Sequence, residues 1–242
     1  MKNTSLTGRI HSFESLGAHD GPGLRSVIFL QGCRFRCLYC HNPDTWQEDG
    51  GSVMEADALY ERVLRFKPYF DSSGGGVTVS GGEPLLQAAF VAELFSRLKV
   101  AGVHTCLDTT GDFPDALEGP VLDRLIELTD LVLLDIKQTQ KEKHRLLTGR
   151  GDIPSLKFAE YLEKKRVPVW LRYVIVPGYT DGQQDIEAFK DLASHLSNVE
   201  KTEYLPFHKM GEYKWKALNL PYALSHVEPP SAHFMAQLSR HK

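Results

Sequence analysis

The chain has 242 residues, of which 42% are hydrophobic and 24% are charged, and its formal net charge is −3. This composition is typical of a globular protein, and without a basic excess the chain is a poor partner for nucleic acid. The opening residues contain no apolar segment like that of a secretory signal, and no run approaches the roughly 20 apolar residues of a membrane-spanning helix. We therefore expect a soluble cytoplasmic protein that binds neither nucleic acid nor membrane.

Six apolar runs rich in β-forming residues follow one another along the chain and predict six strands. They occupy residues 26–32, 76–82, 104–111, 131–137, 167–178 and 201–208. Several of these runs are almost continuously apolar, which is typical of parallel strands covered on both faces.

Helical patterns separate the predicted strands. The clearest covers residues 84–102, where apolar side chains recur every four positions from Leu86 to Leu98. Weaker patterns cover residues 54–67, 114–128, 154–165 and 183–197, and a short C-terminal helix is expected at about 231–241. This alternation predicts right-handed βαβ crossovers and an α/β fold.

The number of units decides between two α/β architectures. A complete TIM barrel has eight strands and six are expected here, so we predict an incomplete, TIM-like (β/α)6 barrel, with a doubly wound open sheet as the alternative. No linker or internal repeat divides the chain. We interpret residues 1–242 as a single domain in which the N-terminal segment 1–25 packs on the barrel.

Chemically distinctive residues follow the ends of the predicted strands. Both architectures bind ligands at the carboxyl ends of their strands, so residues placed there are expected to meet at one rim. The residues in such positions are Cys33, Gly81, Gly82, Glu83, Asp108, Thr109, Asp135, Lys137 and His208.

Three of the four cysteines lie in one loop, LQGCRFRCLYCHNPDTW, as Cys33, Cys37 and Cys40, with His41 directly after them. Four interpretations are open: structural zinc with His41 as the fourth ligand, a covalent haem at CxxCH, unligated thiols, or an iron–sulfur cluster with one open iron. Zinc sites usually draw a second ligand pair from elsewhere, and covalent haem belongs to exported proteins. Cys106 lies inside a predicted strand and suits a buried core position. The cluster is therefore favoured.

The cysteine spacing CxxxCxxC, with Tyr39 before its last cysteine, resembles the signature of the radical S-adenosylmethionine (radical SAM) enzymes. The segment SGGEPLLQ at 80–87 resembles their GGE motif. Further segments, from GRIHSF at residue 8 to EYLPFHKMG near 211, resemble in order and spacing the family that activates pyruvate formate-lyase. The resemblance implies a radical SAM core and a [4Fe-4S] cluster held by the three loop cysteines. It also implies that S-adenosyl-L-methionine (SAM) chelates the fourth iron.

The resemblance also implies which residues bind SAM. Gly81 and Gly82 would let the backbone approach its amino group, Tyr39 and His41 would lie beside the adenosyl group, and Arg172 would lie near the ribose or methionine part. Without the family, the two glycines would be an ordinary strand-to-helix turn and His208 a hydrogen-bonded structural residue. The full implied set is Tyr39, His41, Gly81, Gly82, Glu83, Asp135, Ile136, Lys137, Arg172 and His208.

A monovalent-cation site near the SAM carboxylate is implied by the same resemblance. Asp108, Thr109 and Asp135 would provide its oxygen ligands, the alternative being carboxylates that cap the following turns or helices. Where the family often reads DTNG, this chain has Thr110. A threonine cannot reproduce the donors and the acceptor of an asparagine amide, so the role of this position is open.

The segment HDGPGLR at 19–25 lies beside the bound peptide in the family. The resemblance therefore implies that Asp20 and Arg25 contact the partner protein, whereas the composition alone is that of a tight turn.

The implied activity is that of an oxidoreductase of anaerobic glucose metabolism. It would generate a 5'-deoxyadenosyl radical from SAM and remove a hydrogen atom from a glycine Cα of pyruvate formate-lyase, which installs the glycyl radical. No catalytic residue is expected beyond the cluster and SAM, and an external low-potential donor such as flavodoxin or ferredoxin would supply the electron. The alternatives are activation of another glycyl-radical enzyme, or a non-catalytic cluster- or zinc-binding protein for electron transfer or scaffolding.

Overall fold

The computed structural model of the chain describes residues 6–114 and 119–240. Its strands form one sheet in the order β3-β1-β2-β4-β5-β6-β7-β8. They are β1 (Thr7–Gly17), β2 (Arg25–Leu30), β3 (Ser52–Glu55), β4 (Gly76–Gly81), β5 (His104–Thr109), β6 (Leu131–Asp135), β7 (Val169–Ile175) and β8 (Val199–Pro206). From β2 to β8 every neighbouring pair is parallel, whereas β1 and β3 add antiparallel strands at one edge.

Helices connect the parallel strands. The α-helices are α1 (Ala56–Leu64), α2 (Lys67–Ser73), α3 (Ala88–Val100), α4 (Pro120–Glu127), α5 (Lys141–Thr148), α6 (Pro154–Lys165), α7 (Gln183–His195), α8 (Glu212–Ala217) and α9 (Ala232–Arg240). Single 3-10 turns occupy Pro43–Thr45 and Pro84–Gln87. The prediction of an incomplete (β/α)6 barrel is confirmed, because six parallel strands alternate with helices and the sheet is open between β3 and β8.

Several local predictions need correction. The pattern at 84–102 begins as a 3-10 turn before α3, and the pattern at 54–67 divides into the end of β3, α1 and the start of α2. Part of the predicted helix 114–128 falls on residues 115–118, which lie outside the described residues, as do residues 1–5 and 241. The segment before residue 25 was expected to pack on the barrel; its residues Thr7–Gly17 form β1, which pairs with β2.

Alternation along the parallel strands separates a helix-covered core from a polar inner face. Successive side chains of a strand point to opposite sides, so odd and even positions have different surroundings. On β6, Val132 and Leu134 belong to the main apolar core, whereas Leu133 belongs to a separate inner cluster with Cys106. By the same alternation the side chain of Asp135, at the end of β6, emerges on the inner face.

The core on the outer face is built from strand side chains and the apolar sides of the helices. Helix α3 contributes Phe90, Leu94 and Leu98 to it, and each is at most 3% exposed. The helices packed on the outer face of the sheet therefore hold the strand ends in fixed positions. Among the residues that the structure describes, no helix is both long and apolar enough to cross a membrane.

Candidate cofactor site

A cavity of about 410 Å³ opens at the carboxyl ends of the parallel strands. The structure brings most of the predicted site residues to its wall. These are Asp20, Cys33, Cys37, Tyr39, Cys40, His41, Gly81, Gly82, Asp108, Thr109, Asp135, Lys137, Arg172 and His208. Residues from seven different stretches of sequence therefore meet at this end of the barrel.

Three predicted residues are placed elsewhere. The side chain of Ile136 is 1% exposed and packs in the main core, between the cavity-lining Asp135 and Lys137 in sequence. Glu83 is fully buried behind the wall. Arg25 is also fully buried, and its guanidinium bonds Thr78 Oγ1 at 2.7 Å and the carbonyl of Val77 at 2.7 Å. In the structure Arg25 presents no surface to a partner.

The cysteine loop presents its thiols to the cavity, whereas Arg34 and Arg36 between them turn outward. Cys33 and Cys37 line the cavity, whereas the guanidinium of Arg34 bonds Asp112 and that of Arg36 lies over the ring of Trp46, 4.8 Å from its centroid. Burial raises the pKa of the Cys37 thiol to about 12 and raises the pKa values of the other two. Without a metal the thiols are therefore protonated, and metal binding has to displace their protons.

The three thiols do not converge on one point. In the described part of the chain, no group of three or more His, Cys, Asp or Glu side chains is placed to hold a single metal ion. In a cubane each thiolate binds a different iron, so the ligands need not meet at one atom.

The C-terminal part of the chain holds the cysteine loop in place. The indole N–H of Trp215, on α8, donates a 2.8 Å hydrogen bond to the carbonyl of Cys40, and its ring packs edge-on against Trp46. Beside it, Lys214 bonds Asn42 at 2.8 Å and lies 2.9 Å from Asp44. Helix α8 thus clamps the loop from outside.

Two glycines are required where β4 passes the end of β2. Gly81 has φ +123°, and a Cβ there would lie 2.1 Å from the backbone nitrogen of Leu30. A Cβ on Gly82 would lie 2.1 Å from the carbonyl oxygen of Gly32. Only glycine fits this approach of two backbones, and the turn brings its own backbone to the cavity wall. The Gly82 N–H donates to the carbonyl of Leu30 and is not free for a ligand, so this turn offers a ligand its carbonyl groups.

Glu83 organises the neighbouring strand end from inside the protein. One carboxyl oxygen accepts hydrogen bonds from the Leu85 N–H and the Thr109 hydroxyl, and the other from the Thr110 N–H at 2.9 Å and its hydroxyl at 2.6 Å. Burial raises the pKa of Glu83 to about 7, and the four hydrogen bonds oppose the rise. Thr110, where the family often has asparagine, thus uses its hydroxyl to hold Glu83.

Two carboxylates and two cations alternate on the inner face. Ser80 donates to one oxygen of Asp108 at 2.7 Å, and Arg172 lies 3.6 Å from the other. Lys137 donates to Asp135 at 2.7 Å, and register pairs Asp135 with Arg172 on the adjacent strand. Burial raises the pKa of Asp108 to about 6, against the effect of Arg172. Although burial alone would lower them, the carboxylates raise the pKa values of Arg172 and Lys137 above their ordinary values.

The floor of the cavity is formed by the segment after β1. Arg172 Nη2 donates to the carbonyl of His19 at 2.8 Å, and Thr78 donates to the carbonyl of Asp20 at 2.6 Å. Arg25 holds the carbonyl of Pro22 at 3.0 Å. These bonds draw the segment across the inner face and place the Asp20 side chain in the cavity.

Aromatic rings line the opposite wall. His41 stacks on His208 with ring centroids 4.2 Å apart, and Lys137 Nζ lies 5.6 Å from the centroid of the Tyr39 ring. Three buried polar atoms of the wall have no hydrogen-bond partner in the described structure: Tyr39 Oη, Asp108 Oδ1 and His208 Nδ1. Buried polar atoms without partners are rare, so they point to a polar ligand in this cavity.

The sequence alone did not single out some of the wall. Asn42 follows the cysteine loop directly, so its position was the available signal. Most of the apolar wall residues lie in strands or directly after them, and their only signal is that place: Phe29, Val174, Leu205, Pro206 and Phe207. Phe35 lies in the cysteine loop itself.

The residues present fit a cluster with a bound organic ligand. Three soft thiols lie at one end of the cavity, and paired charges, unpartnered polar atoms and aromatic rings line the rest. The volume is in the usual range for a small-molecule site.

Comparisons with known proteins agree with this arrangement. The radical SAM superfamily model matches residues 27–193. The "Pyruvate formate-lyase-activating enzyme" of Staphylococcus epidermidis is 49% identical over 93% of this chain and 91% of its own length. The "Pyruvate formate-lyase 1-activating enzyme" of Escherichia coli is 47% identical over 97% of this chain and 94% of its own. The solved structure of a radical SAM methyltransferase from Sphaerobacter thermophilus, 12% identical, covers 96% of this chain and 74% of its own with TM-score 0.63, which shows the shared fold.

Proposed function

The chain belongs to the radical SAM superfamily, and we propose that it activates pyruvate formate-lyase by removing a hydrogen atom from a glycine Cα of that protein. Radical SAM enzymes use a [4Fe-4S] cluster and SAM. The observation that carries the proposal is that the three loop thiols share one cavity with the charged and aromatic residues of five strand ends. A non-catalytic electron carrier would have no use for that cavity.

The loop cysteines would hold the cluster, and the remaining wall would hold SAM. When bound, the cluster and SAM together supply a one-electron cleavage that yields a 5'-deoxyadenosyl radical. The Gly81 and Gly82 backbone would receive the amino group, and Lys137 and Arg172 would balance the carboxylates around it. The other proposed SAM-binding residues are those that the family implies: Tyr39, His41, Asp135, Ile136 and His208. Glu83 acts by holding the turn through hydrogen bonds and not by contact with SAM.

The stacked histidines and Tyr39 would orient the adenosyl group and exclude water from it. A radical needs such a fixed position, since any other nearby C–H or S–H group that donates a hydrogen atom would quench it. Asp108, Thr109 and Asp135 form our proposed monovalent-cation site; the feature that supports it is Asp108 Oδ1, which is buried and accepts no hydrogen bond. We further propose that the whole chain acts as one radical SAM domain.

The open side of the barrel suits a macromolecular substrate. Because the sheet is not closed between β3 and β8, a loop that carries the glycine can enter from the side. Asp20, on the cavity floor, is the residue of the 19–25 segment that we propose to meet this loop.

The test combines anaerobically reconstituted protein, SAM, a chemical reductant and pyruvate formate-lyase, and records the electron paramagnetic resonance spectrum. We expect a glycyl-radical signal that is absent with Cys37→Ala. SAM cleavage without that signal would indicate that the chain activates a glycyl-radical enzyme other than pyruvate formate-lyase. Absence of SAM cleavage with an intact cluster would overturn the proposal.

A further inference from the structure

The proposed reaction consumes one electron for each SAM that is cleaved, and this electron must reach the cluster from outside the chain. The cavity side of the cysteine loop is occupied by ligand-binding residues. The other side of the same loop faces solvent through Arg34 and Arg36, because these residues alternate with the cavity-facing positions. An electron donor therefore has a separate approach to the cluster.

This outer side is strongly basic. We define the basic rim as the six cationic side chains around the loop 149–152: Arg34, Arg36, Lys141, Arg145, Arg150 and Lys157. The chain as a whole has a formal net charge of −3, so the basic rim contrasts with the rest of the molecule.

Contacts show that the rim is continuous. The turn at 149–151 lies at its centre: a Cβ on Gly149 would lie 3.4 Å from Arg36, and one on Gly151 would lie 3.8 Å from Arg145 and 3.9 Å from Lys141. On the other side, Arg34, Arg150 and Lys157 line one small cavity.

Buried contacts hold the inner part of the rim rigidly. Asp112, 2% exposed, accepts two hydrogen bonds from Arg34 at 2.9 and 2.6 Å and one from Arg150 at 3.2 Å. Arg150 also pairs with the exposed Asp152. These carboxylates and the exposed Glu142 of α5 neutralise part of the charge, and the exposed cations Lys141 and Arg145 lie on the same helix.

The rim is close to the thiols. Arg36 Nη1 donates to the carbonyl of Cys33 at 2.8 Å, and the Arg36 N–H donates to the carbonyl of Thr148, at the end of α5. Arg36 also lies over Trp46, whose side chain hydrogen-bonds the Cys40 thiol. A redox group seated on the rim would therefore be separated from the cluster by a single layer of protein.

We propose that the basic rim is the docking surface for an acidic one-electron carrier protein. The inference rests on the proposed function, because only that function requires an electron at the cluster. The reduced carrier gives one electron and is oxidised by one; the oxidised cluster accepts it, with no proton or leaving group. Charge complementarity would steer the encounter between the carrier and the rim. Because the cavity lies on the opposite side of the cysteine loop, the glycine-bearing protein would bind there without displacing the carrier.

The test uses a purified acidic flavodoxin as the probe and two double variants of the full chain. Lys141→Glu with Arg145→Glu reverses the exposed part of the rim, whereas Lys164→Glu with Lys190→Glu makes the same charge change on α6 and α7. We expect the rim variant to bind the flavodoxin at least about tenfold more weakly at low ionic strength, with the difference shrinking at high salt. The control variant should match the unmutated chain.

A second readout separates this proposal from the proposed function. Reduction of the cluster by photoreduced flavodoxin should slow in the rim variant, while reduction by dithionite should be unchanged. Equal flavodoxin binding by both double variants would overturn the docking surface. So would weakened binding of pyruvate formate-lyase with unchanged flavodoxin binding, since the rim would then belong to the protein substrate. If the unmutated chain fails to cleave SAM with dithionite, the proposed function is wrong. The comparison of flavodoxin binding by the two double variants still tests the docking surface in that case.

Discussion

Replacement of Glu83 by glutamine tests whether its buried carboxyl acts as a structural acceptor. Each carboxyl oxygen accepts one backbone N–H, from Leu85 at 3.0 Å and from Thr110 at 2.9 Å. An amide nitrogen cannot accept a hydrogen bond, so in either orientation of the glutamine one backbone N–H loses its partner. The hydroxyls of Thr109 and Thr110 can rotate to accept from the amide, but a backbone N–H cannot adapt.

The magnitude follows from burial. Glu83 is 0% exposed, so water cannot replace the lost acceptor. A buried donor without a partner costs about 1–3 kcal/mol of the free energy of unfolding. For a chain of this size, that loss lowers the melting temperature by roughly 3–10 °C.

Urea and thermal unfolding of the apoprotein at pH 7 measure the effect. Glu93→Gln is the matched control, because Glu93 is a partly exposed carboxylate on α3 that pairs with Arg97, and such pairs contribute at most about 1 kcal/mol. A Glu83→Gln chain that unfolds within about 0.5 kcal/mol of the unmutated one, as surface substitutions do, would refute this account of the network.

Other variants test the remaining features of the site. Alanine at any of the three loop cysteines should abolish iron retention, measured by iron and sulfide analysis, whereas Cys106→Ala should keep the iron and lose about 1–2 kcal/mol of stability by leaving a small cavity; iron loss in Cys106→Ala would contradict three-cysteine ligation. If the cation site exists, SAM affinity at constant ionic strength should differ between sodium, potassium and a bulky organic cation, and Asp108→Ala should remove the difference; equal affinities in the unmutated chain would exclude the site. Trp215→Phe should shorten the half-life of iron loss, since the part-buried Cys40 carbonyl loses its donor at about 0.5–1.5 kcal/mol; an unchanged half-life would show that α8 does not secure the loop. Because burial raises the folded pKa of Glu83 above its unfolded value to about 7, its stabilising contribution is complete below the unfolded pKa and is lost as the pH rises through about 7; the unfolding free energy of Glu83→Gln should lack this decline, and parallel pH profiles would contradict it.

The parallel strands could be predicted because burial on both faces leaves a continuous apolar run in the sequence. Strand β1 lacks that signal: its residues alternate irregularly between buried and exposed, because it lies outside the parallel part of the sheet, between β3 and β2. Strand β3 has only four residues, none of them buried. Helix α5 was missed because its segment KEKHRLLT is mostly charged and only three of its residues are buried.

The site residues that could be predicted from the sequence are those that lie at the ends of predicted strands. Local sequence places Asp108 and Asp135 at strand ends, and the topology then brings them together. Sequence does not show which distant side chain a residue will meet, so the burial of Arg25 against Thr78 could not be foreseen. The same limit hid the clamp from α8, whose bond to the cysteine loop joins residues 175 positions apart.

That clamp has a consequence for the order in which the protein is assembled. The thiols are made early in translation, yet the group that secures the Cys40 carbonyl is Trp215, near the other end of the chain. A nascent chain that carries the thiols but not α8 lacks this hydrogen bond and would lose iron faster than the full chain. We infer that iron is delivered after synthesis, to a finished polypeptide, and that maturation factors meet a folded acceptor. Ribosome-stalled chains that expose residues 1–200 but retain iron as well as the released protein would contradict this order.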